Sequence, residues 1–299
     1  MITLNGTTVC VHHFPDGTQR LNIPAFLTPC EHFDIVWRYE CDEELVTIQY
    51  TVRHIRQITQ PASKITLLLP YIPNARMDRV DNELGDVFTL KYFAEIINSL
   101  SFDAVYVLDA HSNVSLALIN NVIKINVNPI IAWAYDRVIE NEGKEKKPPI
   151  FVFPDDGAFK RYKGSVGFVD SPDVMVGKKV REWSTGKITD FYLEPVTESL
   201  WNPDKISGRS AIIIDDIISY GGTMAHCVNA LRKIYVENIY IYCSHLENSV
   251  LDAEMGTLLP LLNDGTVKRL YSTNSLFIGK HPSICLYDIE GPIADPKEV

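Results

Sequence analysis

The stretch Ala211-Ile-Ile-Ile-Asp215-Asp216-Ile-Ile-Ser219-Tyr220-Gly221-Gly222-Thr223-Met224 is the most informative part of this 299-residue chain. An apolar strand leads into two carboxylates, and a Gly-Gly-Thr turn then opens a helix. Glycines let a backbone approach an anion, and the first N–H groups of a helix, with the Thr223 hydroxyl, suit phosphate oxygens. Carboxylates repel a phosphate group, but they accept hydrogen bonds from sugar hydroxyls. We therefore predict that Asp215 and Asp216 bind a ribose whose 5-phosphate lies on the turn. The alternative is an ordinary strand-to-helix turn.

The rest of the chain repeats this pattern of a short apolar run followed by a helical segment. Ala104 to Leu108 ends at Asp109, and Ile150 to Phe153 ends at Pro154-Asp155. Between such runs, apolar residues recur at helical spacing, as at Val87, Leu90, Phe93, Ile97 and Leu100. Continuous apolar strands that alternate with amphipathic helices predict parallel sheets covered on both faces, which is the α/β class.

One charged segment without periodicity, Glu140 to Pro149 (ENEGKEKKPP), is the best candidate for a domain boundary. We place an N-terminal domain at residues 1–144 and a C-terminal domain at 145–299, the latter with the Gly-Gly-Thr turn. Because similar strand–loop–helix series lie on both sides, a duplicated domain is plausible.

Composition excludes several classes of protein. No run of 18 apolar residues exists, so we expect no membrane span, and the first ten residues lack a signal-peptide pattern. The formal charge of -10 would repel a polyanion, which argues against general nucleic-acid binding. The six cysteines form no CxxC pair and suit reduced core thiols, so we expect a cytoplasmic protein.

Three further segments, in order along the chain, resemble those of ribose-phosphate diphosphokinases, the synthetases of phosphoribosyl diphosphate (PRPP). Tyr71–Arg79 (YIPNARMDR) resembles their Y-A-R-Q-D-R segment, with Met77 in place of Gln. Leu108–Ser112 (LDAHS) resembles D-L/P-H-S, and Phe153–Arg161 (FPDDGAFKR) resembles S-P-D-x-G-x-x-K-R. The Asp215 loop is also similar to that of type I phosphoribosyltransferases, but these lack the three other segments, so the synthetases are preferred.

This resemblance implies two type I phosphoribosyltransferase-like domains with ATP bound between them, in a homo-oligomer (dimer or hexamer). It implies Mg²⁺-dependent transfer of the β,γ-diphosphoryl group of ATP to the C1 hydroxyl of ribose 5-phosphate, which gives PRPP and AMP.

The resemblance also assigns roles to residues. The catalytic pair would be Lys179 and Arg181, in a mobile loop that closes over the phosphates. The metal ligands would be His111 and Asp155. The ATP-binding residues would be Phe14, Asp16, Arg76, Asp78 and His111, although Thr18 replaces the family's Glu beside the first two. The acceptor-binding residues would be Asp155, Asp215, Asp216, Ser219, Tyr220, Gly221, Gly222 and Thr223.

Without the resemblance, these residues also allow purely structural interpretations. Asp109 and His111 lie two apart at a strand end and could hold Mg²⁺ with water, yet a histidine hydrogen-bonded beneath a loop is the commoner case. Lys178, Lys179 and Arg181 could be a solvated charge run. Arg76 to Arg79 could be a surface ion-pair turn.

The acceptor loop departs from the family pattern D-D-x-x-D-T-G/C-G-T, because Ser219 and Tyr220 replace Asp and Thr. Tyr220 would suit an acceptor with a larger 5-substituent, and ADP-ribose is the simplest one with a free C1 hydroxyl; such an activity would feed NAD synthesis. Two further interpretations stay open, a transferase that consumes PRPP and a catalytically silent regulatory subunit.

Overall fold

The computed structural model describes residues 1–23, 31–59, 63–80, 85–143, 146–170, 172–181 and 188–289, without the side chains of 180, 181, 188 and 189. The chain forms two compact units: Met1–Asn126 together with Ile289, and Val127–Asp288. The units divide after Asn126 and not at the expected residue 144, so the helix between these positions, Asn128–Glu142, belongs to the second unit. That helix packs in the second unit, where the Asn141 amide donates to Tyr271 Oη at 2.9 Å and Tyr240 Oη donates to Glu142 at 2.7 Å.

The first unit contains a six-stranded sheet, three helices and a separate hairpin. The sheet strands are β1 (Ile2–Leu4), β2 (Thr7–Thr8), β5 (His32–Trp37), β6 (Lys64–Leu68), β7 (Ala104–Leu108) and β8 (Val122–Ile125). The hairpin is β3 (Cys10–His13) with β4 (Gln19–Asn22), and the helices are α1 (Glu44–Ile58), α2 (Thr89–Ser99) and α3 (Asn113–Leu118). The sheet order is β2-β1-β5-β6-β7-β8, with β5 to β8 parallel. The predicted helical repeat is confirmed for Leu90, Phe93 and Ile97, which α2 buries, whereas Val87 lies before the helix and is exposed.

The second unit contains a seven-stranded sheet with helices. Its strands are β9 (Ile150–Phe153), β10 (Val174–Arg181), β11 (Ile188–Pro195), β12 (Ser210–Ile218), β13 (Asn238–Leu246), β14 (Val267–Thr273) and β15 (Ile284–Tyr287). Its helices are α4 (Asn128–Glu142), α5 (Asp156–Tyr162), α6 (Gly222–Lys233) and α7 (Leu259–Asn263). The order is β11-β10-β9-β12-β13-β14-β15, and all neighbours are parallel except β10 with β11. Two mainly parallel sheets flanked by helices confirm the α/β class.

Two elements differ from the sequence expectation. Strand β12 does not end at Asp215 but continues to Ile218, because Ile217 and Ile218 pair with His245 and Leu246 of β13. The segment with Lys179 is a strand and not a loop, because β10 pairs with β9 on one side and with β11 on the other. Residues 182–187, which follow β10, lie outside the described part of the chain. Among the helices that the structure describes, none is long and apolar enough to cross a membrane.

Candidate active site

The site in the second unit is built at the carboxyl ends of its parallel strands. Strand β9 is wholly buried and delivers Asp155 to the start of α5. Strand β12 delivers Asp215 and Asp216, followed by the turn to α6. Because β9 and β12 are hydrogen-bonded neighbours, their carboxyl ends meet at one edge of the sheet. The structure thus brings together residues that are 60 positions apart in sequence.

Asp155 accepts hydrogen bonds from the start of α5 and from Lys179. Its Oδ1 caps α5 by accepting hydrogen bonds from the backbone N–H groups of Gly157 and Ala158, each at 3.0 Å. Its Oδ2 accepts a hydrogen bond from Lys179 Nζ at 3.1 Å. Burial alone would raise the pKa of this carboxyl, but the N–H donors and the Lys179 ammonium outweigh burial and hold the pKa below its usual value. Asp155 is therefore an ionised, oriented carboxylate.

Lys179 reaches Asp155 because β10 lies next to β9. The close approach depends on Gly177, where a Cβ would lie 2.4 Å from the Pro154 carbonyl oxygen and 2.6 Å from the Phe191 ring. The adjacent Lys178 has other partners, since its Nζ lies 2.6 Å from Asp156 Oδ1 and 3.6 Å from Glu194 Oε2. The two lysines are thus distinguished by alternation along the strand. Arg181 ends β10, and its side chain lies outside the described part of the chain.

The acidic pair is held by a hydrogen bond within β12 and by an ion pair with α5. Asp215 Oδ1 accepts from the Asp216 backbone N–H at 2.9 Å, and Arg161 Nη2 of α5 lies 3.5 Å from Asp216 Oδ2. Burial, and then the charge of Asp216, raise the pKa of Asp215 well above its usual value. The buried Cys227 of α6 has a raised pKa, caused first by burial and then by the Asp215 charge. The pair is therefore a constrained, electrostatically costly feature.

The turn after β12 has the geometry expected of an anion cradle. Gly221 has a φ of 88° and is the N-cap of α6, so no side chain caps the first N–H groups of that helix. A Cβ on Gly221 would lie 2.4 Å from the Leu258 Cβ. Gly222 is exposed and Thr223 is half-buried. The turn can therefore present backbone donors to a phosphate.

Contacts from the segment after β13 fix the shape of this turn, and sequence reasoning missed them. Thr257 donates its N–H and its hydroxyl to the Tyr220 carbonyl, at 2.9 and 3.0 Å. The Ser219 and Ser249 hydroxyls share a hydrogen bond of 3.1 Å. The Tyr220 side chain is 38% exposed, so it is available to a bound molecule. No sequence signal marks Ser249 or Thr257, because such contacts depend on tertiary folding.

The first unit brings together the Tyr71–Arg79 and Leu108–Ser112 segments at the adjacent carboxyl ends of β6 and β7. Arg79 Nε donates to Asp78 Oδ1 at 2.8 Å, and this bond is the main cause of a lowered Asp78 pKa. A Ser112 hydrogen bond and the charge of His111 lower that pKa further. The side chain of Arg79 is 82% exposed and that of Asp78 only 9%. Asp78 and His111 are thus neighbours, while Arg76 lies exposed on the same turn.

Phe14 and Asp16 lie in the turn of the β3–β4 hairpin. Asp16 Oδ1 accepts from the Thr18 N–H and hydroxyl at 2.9 and 2.7 Å, and these bonds lower its pKa. Phe14 is 50% exposed. The hairpin packs on α1, where the Gln19 amide donates to the Glu43 carbonyl at 3.2 Å. Thr18, at the position where the family pattern has Glu, thus donates both of its hydrogen bonds to Asp16.

The metal prediction has limited support in this geometry. No group of three or more His, Cys, Asp or Glu side chains among the described residues is arranged to hold a metal ion. Mg²⁺ typically takes only one or two protein carboxylates and completes its shell with water and substrate phosphates. Asp155 offers such a hard oxygen ligand, whereas the His111 imidazole is a less usual one.

Known proteins similar to this chain are named ribose-phosphate pyrophosphokinase, although no family model matches it. The one from Sulfurisphaera tokodaii is 26% identical over 94% of this chain and 88% of its own length. Those from Bacillus subtilis and Methanobrevibacter smithii are 24% and 25% identical, over 92% and 88% of this chain and 79% and 84% of their own lengths. The crystal structure of phosphoribosylpyrophosphate synthetase from Mycobacterium smegmatis matches 94% of this chain and 86% of its own, at 18% identity and a TM-score of 0.69, which supports the same fold.

The ordered segments, the fold and these similarities agree. Over most of its length this chain is distantly similar to proteins named ribose-phosphate pyrophosphokinase, which are diphosphotransferases.

Proposed function

We propose that this protein is an ATP-dependent diphosphokinase that acts on ribose 5-phosphate. The acceptor's C1 hydroxyl oxygen attacks the β-phosphorus of ATP, and the bond between that phosphorus and the oxygen bridging to the α-phosphate breaks. AMP leaves, PRPP forms, and the hydroxyl proton passes to solvent. The observation that carries the proposal is the edge of the second sheet, where an anion cradle, an acidic pair and Lys179 lie together.

Each part of this edge suits one part of the reaction. The N–H groups at the start of α6 and the Thr223 hydroxyl would hold the 5-phosphate. Asp215 and Asp216 would accept hydrogen bonds from the ribose 2- and 3-hydroxyls. Lys179 would neutralise charge on the transferring phosphates, because such reactions depend more on positioning and electrostatics than on a covalent nucleophile.

Residues of the first unit would bind ATP. Arg76 is an exposed cation, and Asp78 with His111 forms a polar pair beside it; by resemblance, they contact the ATP phosphates. Mg²⁺, when bound, would supply charge neutralisation; His111 in the first unit is a proposed ligand of one ion, and Asp155 in the second unit is a proposed ligand of another. We also propose, by resemblance, a cytoplasmic homo-oligomer.

A second acceptor, ADP-ribose, is favoured by one observation only. Tyr220 stands where the family pattern has Thr, next in sequence to the Gly221 of the proposed phosphate cradle, and its side chain is exposed. The names of the homologues favour ribose 5-phosphate, and we place that acceptor first.

One assay separates the candidates. AMP release is measured with Mg²⁺-ATP and either ribose 5-phosphate or ADP-ribose at equal concentration, and diphosphate release is measured with PRPP and nucleobases. We expect the highest kcat/KM for ribose 5-phosphate. A higher value for ADP-ribose would replace the acceptor, and diphosphate release only with a nucleobase would indicate a transferase. A folded protein that binds ATP but releases no AMP would indicate a regulatory subunit.

A further inference from the structure

Helix α5 contacts both halves of the candidate site. Its N-cap Asp155 binds Lys179, and Arg161 in its last turn lies against Asp216. Arg161 lies six positions after Asp155, which corresponds to a rise of about 9 Å along a helix. The helix therefore reaches from the proposed diphosphate side of the site to its ribose side. The resemblance assigned Arg161 no role, although it lies in a matching segment.

The contact between Arg161 and Asp216 has the character of a supporting ion pair. Arg161 Nη2 lies 3.5 Å from Asp216 Oδ2, and their side chains are 27% and 10% exposed. A carboxylate that is nine-tenths buried is unfavourable without a cation or hydrogen-bond donors. Asp216 also lies beside Asp215, and two adjacent carboxylates resist simultaneous ionisation. A guanidinium at this position favours the ionised form of Asp216 and restrains its orientation.

We propose that Arg161 is a positioning residue for the acceptor. This inference rests on the proposed function and deepens it. Arg161 holds Asp216 ionised and oriented to accept hydrogen bonds from the ribose hydroxyls, and does not itself touch the reacting atoms. Lys179 likewise pairs with Asp155, so two of the three carboxylates proposed to face the acceptor, Asp155 and Asp216, each have a cation. Loss of Arg161 should therefore weaken acceptor binding specifically.

The test compares Arg161→Gln and Arg161→Lys with Lys160→Gln, a matched control that removes a neighbouring exposed charge from the same helix. We expect Arg161→Gln to raise KM for ribose 5-phosphate roughly tenfold, with kcat within about threefold and KM for ATP unchanged. Arg161→Lys should recover most of the loss, and Lys160→Gln should match the parent. Calorimetric titration with ribose 5-phosphate should show the same loss of affinity without turnover.

A double-mutant cycle distinguishes a role of Arg161 that acts through Asp216 from a purely structural role. If Arg161 acts through Asp216, then Arg161→Gln adds little to the acceptor KM of an Asp216→Asn variant. Additive effects, or a lowered Tm with an unchanged acceptor KM, would overturn the inference. A parent enzyme that neither binds ribose 5-phosphate nor releases AMP would overturn the proposed function as well, whereas an active parent with an unaffected Arg161→Gln variant overturns this inference alone.

Discussion

Lys179 Nζ donates to Asp155 Oδ2 at 3.1 Å, across the junction between β10 and the N-cap of α5. The candidate catalytic ammonium is thus already paired with the carboxylate proposed to bind metal. The lysine side chain is 19% exposed and the carboxylate 45%, so water screens this pair and its contribution to stability is small. Substrate phosphates can compete for the ammonium without a large loss of folding free energy.

The first prediction concerns this lysine. Lys179→Ala should lower kcat by roughly two to four powers of ten, because a cation that stabilises the transferring phosphates is removed. The same loss is expected for Arg181→Ala. Steady-state AMP release measures the effect, with Lys178→Ala as control, since Lys178 pairs with Asp156 and Glu194 instead. Unchanged turnover in the Lys179 and Arg181 variants would refute their catalytic assignment.

The second prediction concerns the raised pKa of Asp215. Because the folded state binds this proton more tightly than the unfolded chain, stability decreases as pH rises from the ordinary value of 3.8 towards the folded pKa. Asp215→Asn should therefore be more stable than the parent at neutral pH, by about 1 kcal/mol, while binding the acceptor less well. Urea unfolding at several pH values should show the difference vanishing below pH 3.8. A variant less stable than the parent at neutral pH would contradict this account.

The third prediction concerns the glycines of the acceptor turn. Gly221→Ala should destabilise the protein by about 2 kcal/mol or more, because φ is 88° and the new Cβ would overlap that of Leu258. Gly222→Ala is the matched control, since the nearest atom to its Cβ would be Thr257 Oγ1 at 4.0 Å. Chemical denaturation measures both variants. Equal stability of the two would mean that the turn is free to rearrange.

The fourth prediction concerns His111. His111→Ala should raise the Mg²⁺ concentration needed for half-maximal activity, because a ligand at or near the metal is lost. The control is His54→Ala, which alters an exposed histidine of α1. A Mg²⁺ titration identical to that of the parent would show that His111 only supports Asp78.

Local sequence patterns are sufficient to predict the α/β class and a glycine turn at the start of α6. Both depend on local physics: buried parallel strands require continuous apolar runs, and a close approach to an anion requires glycine at a helix start. The strands after which Asp109 and Asp155 lie, and the repeat that buries Phe93, could be predicted for this reason.

The contacts that hold these residues depend on the tertiary fold. The pairing of Lys179 with Asp155, of Arg161 with Asp216 and of Thr257 with the Tyr220 carbonyl joins segments that are 24, 55 and 37 residues apart. The length of β12 likewise depends on its pairing with β13. Such contacts leave no local pattern, because they arise from strand order and from which side chains the sheet places at one edge.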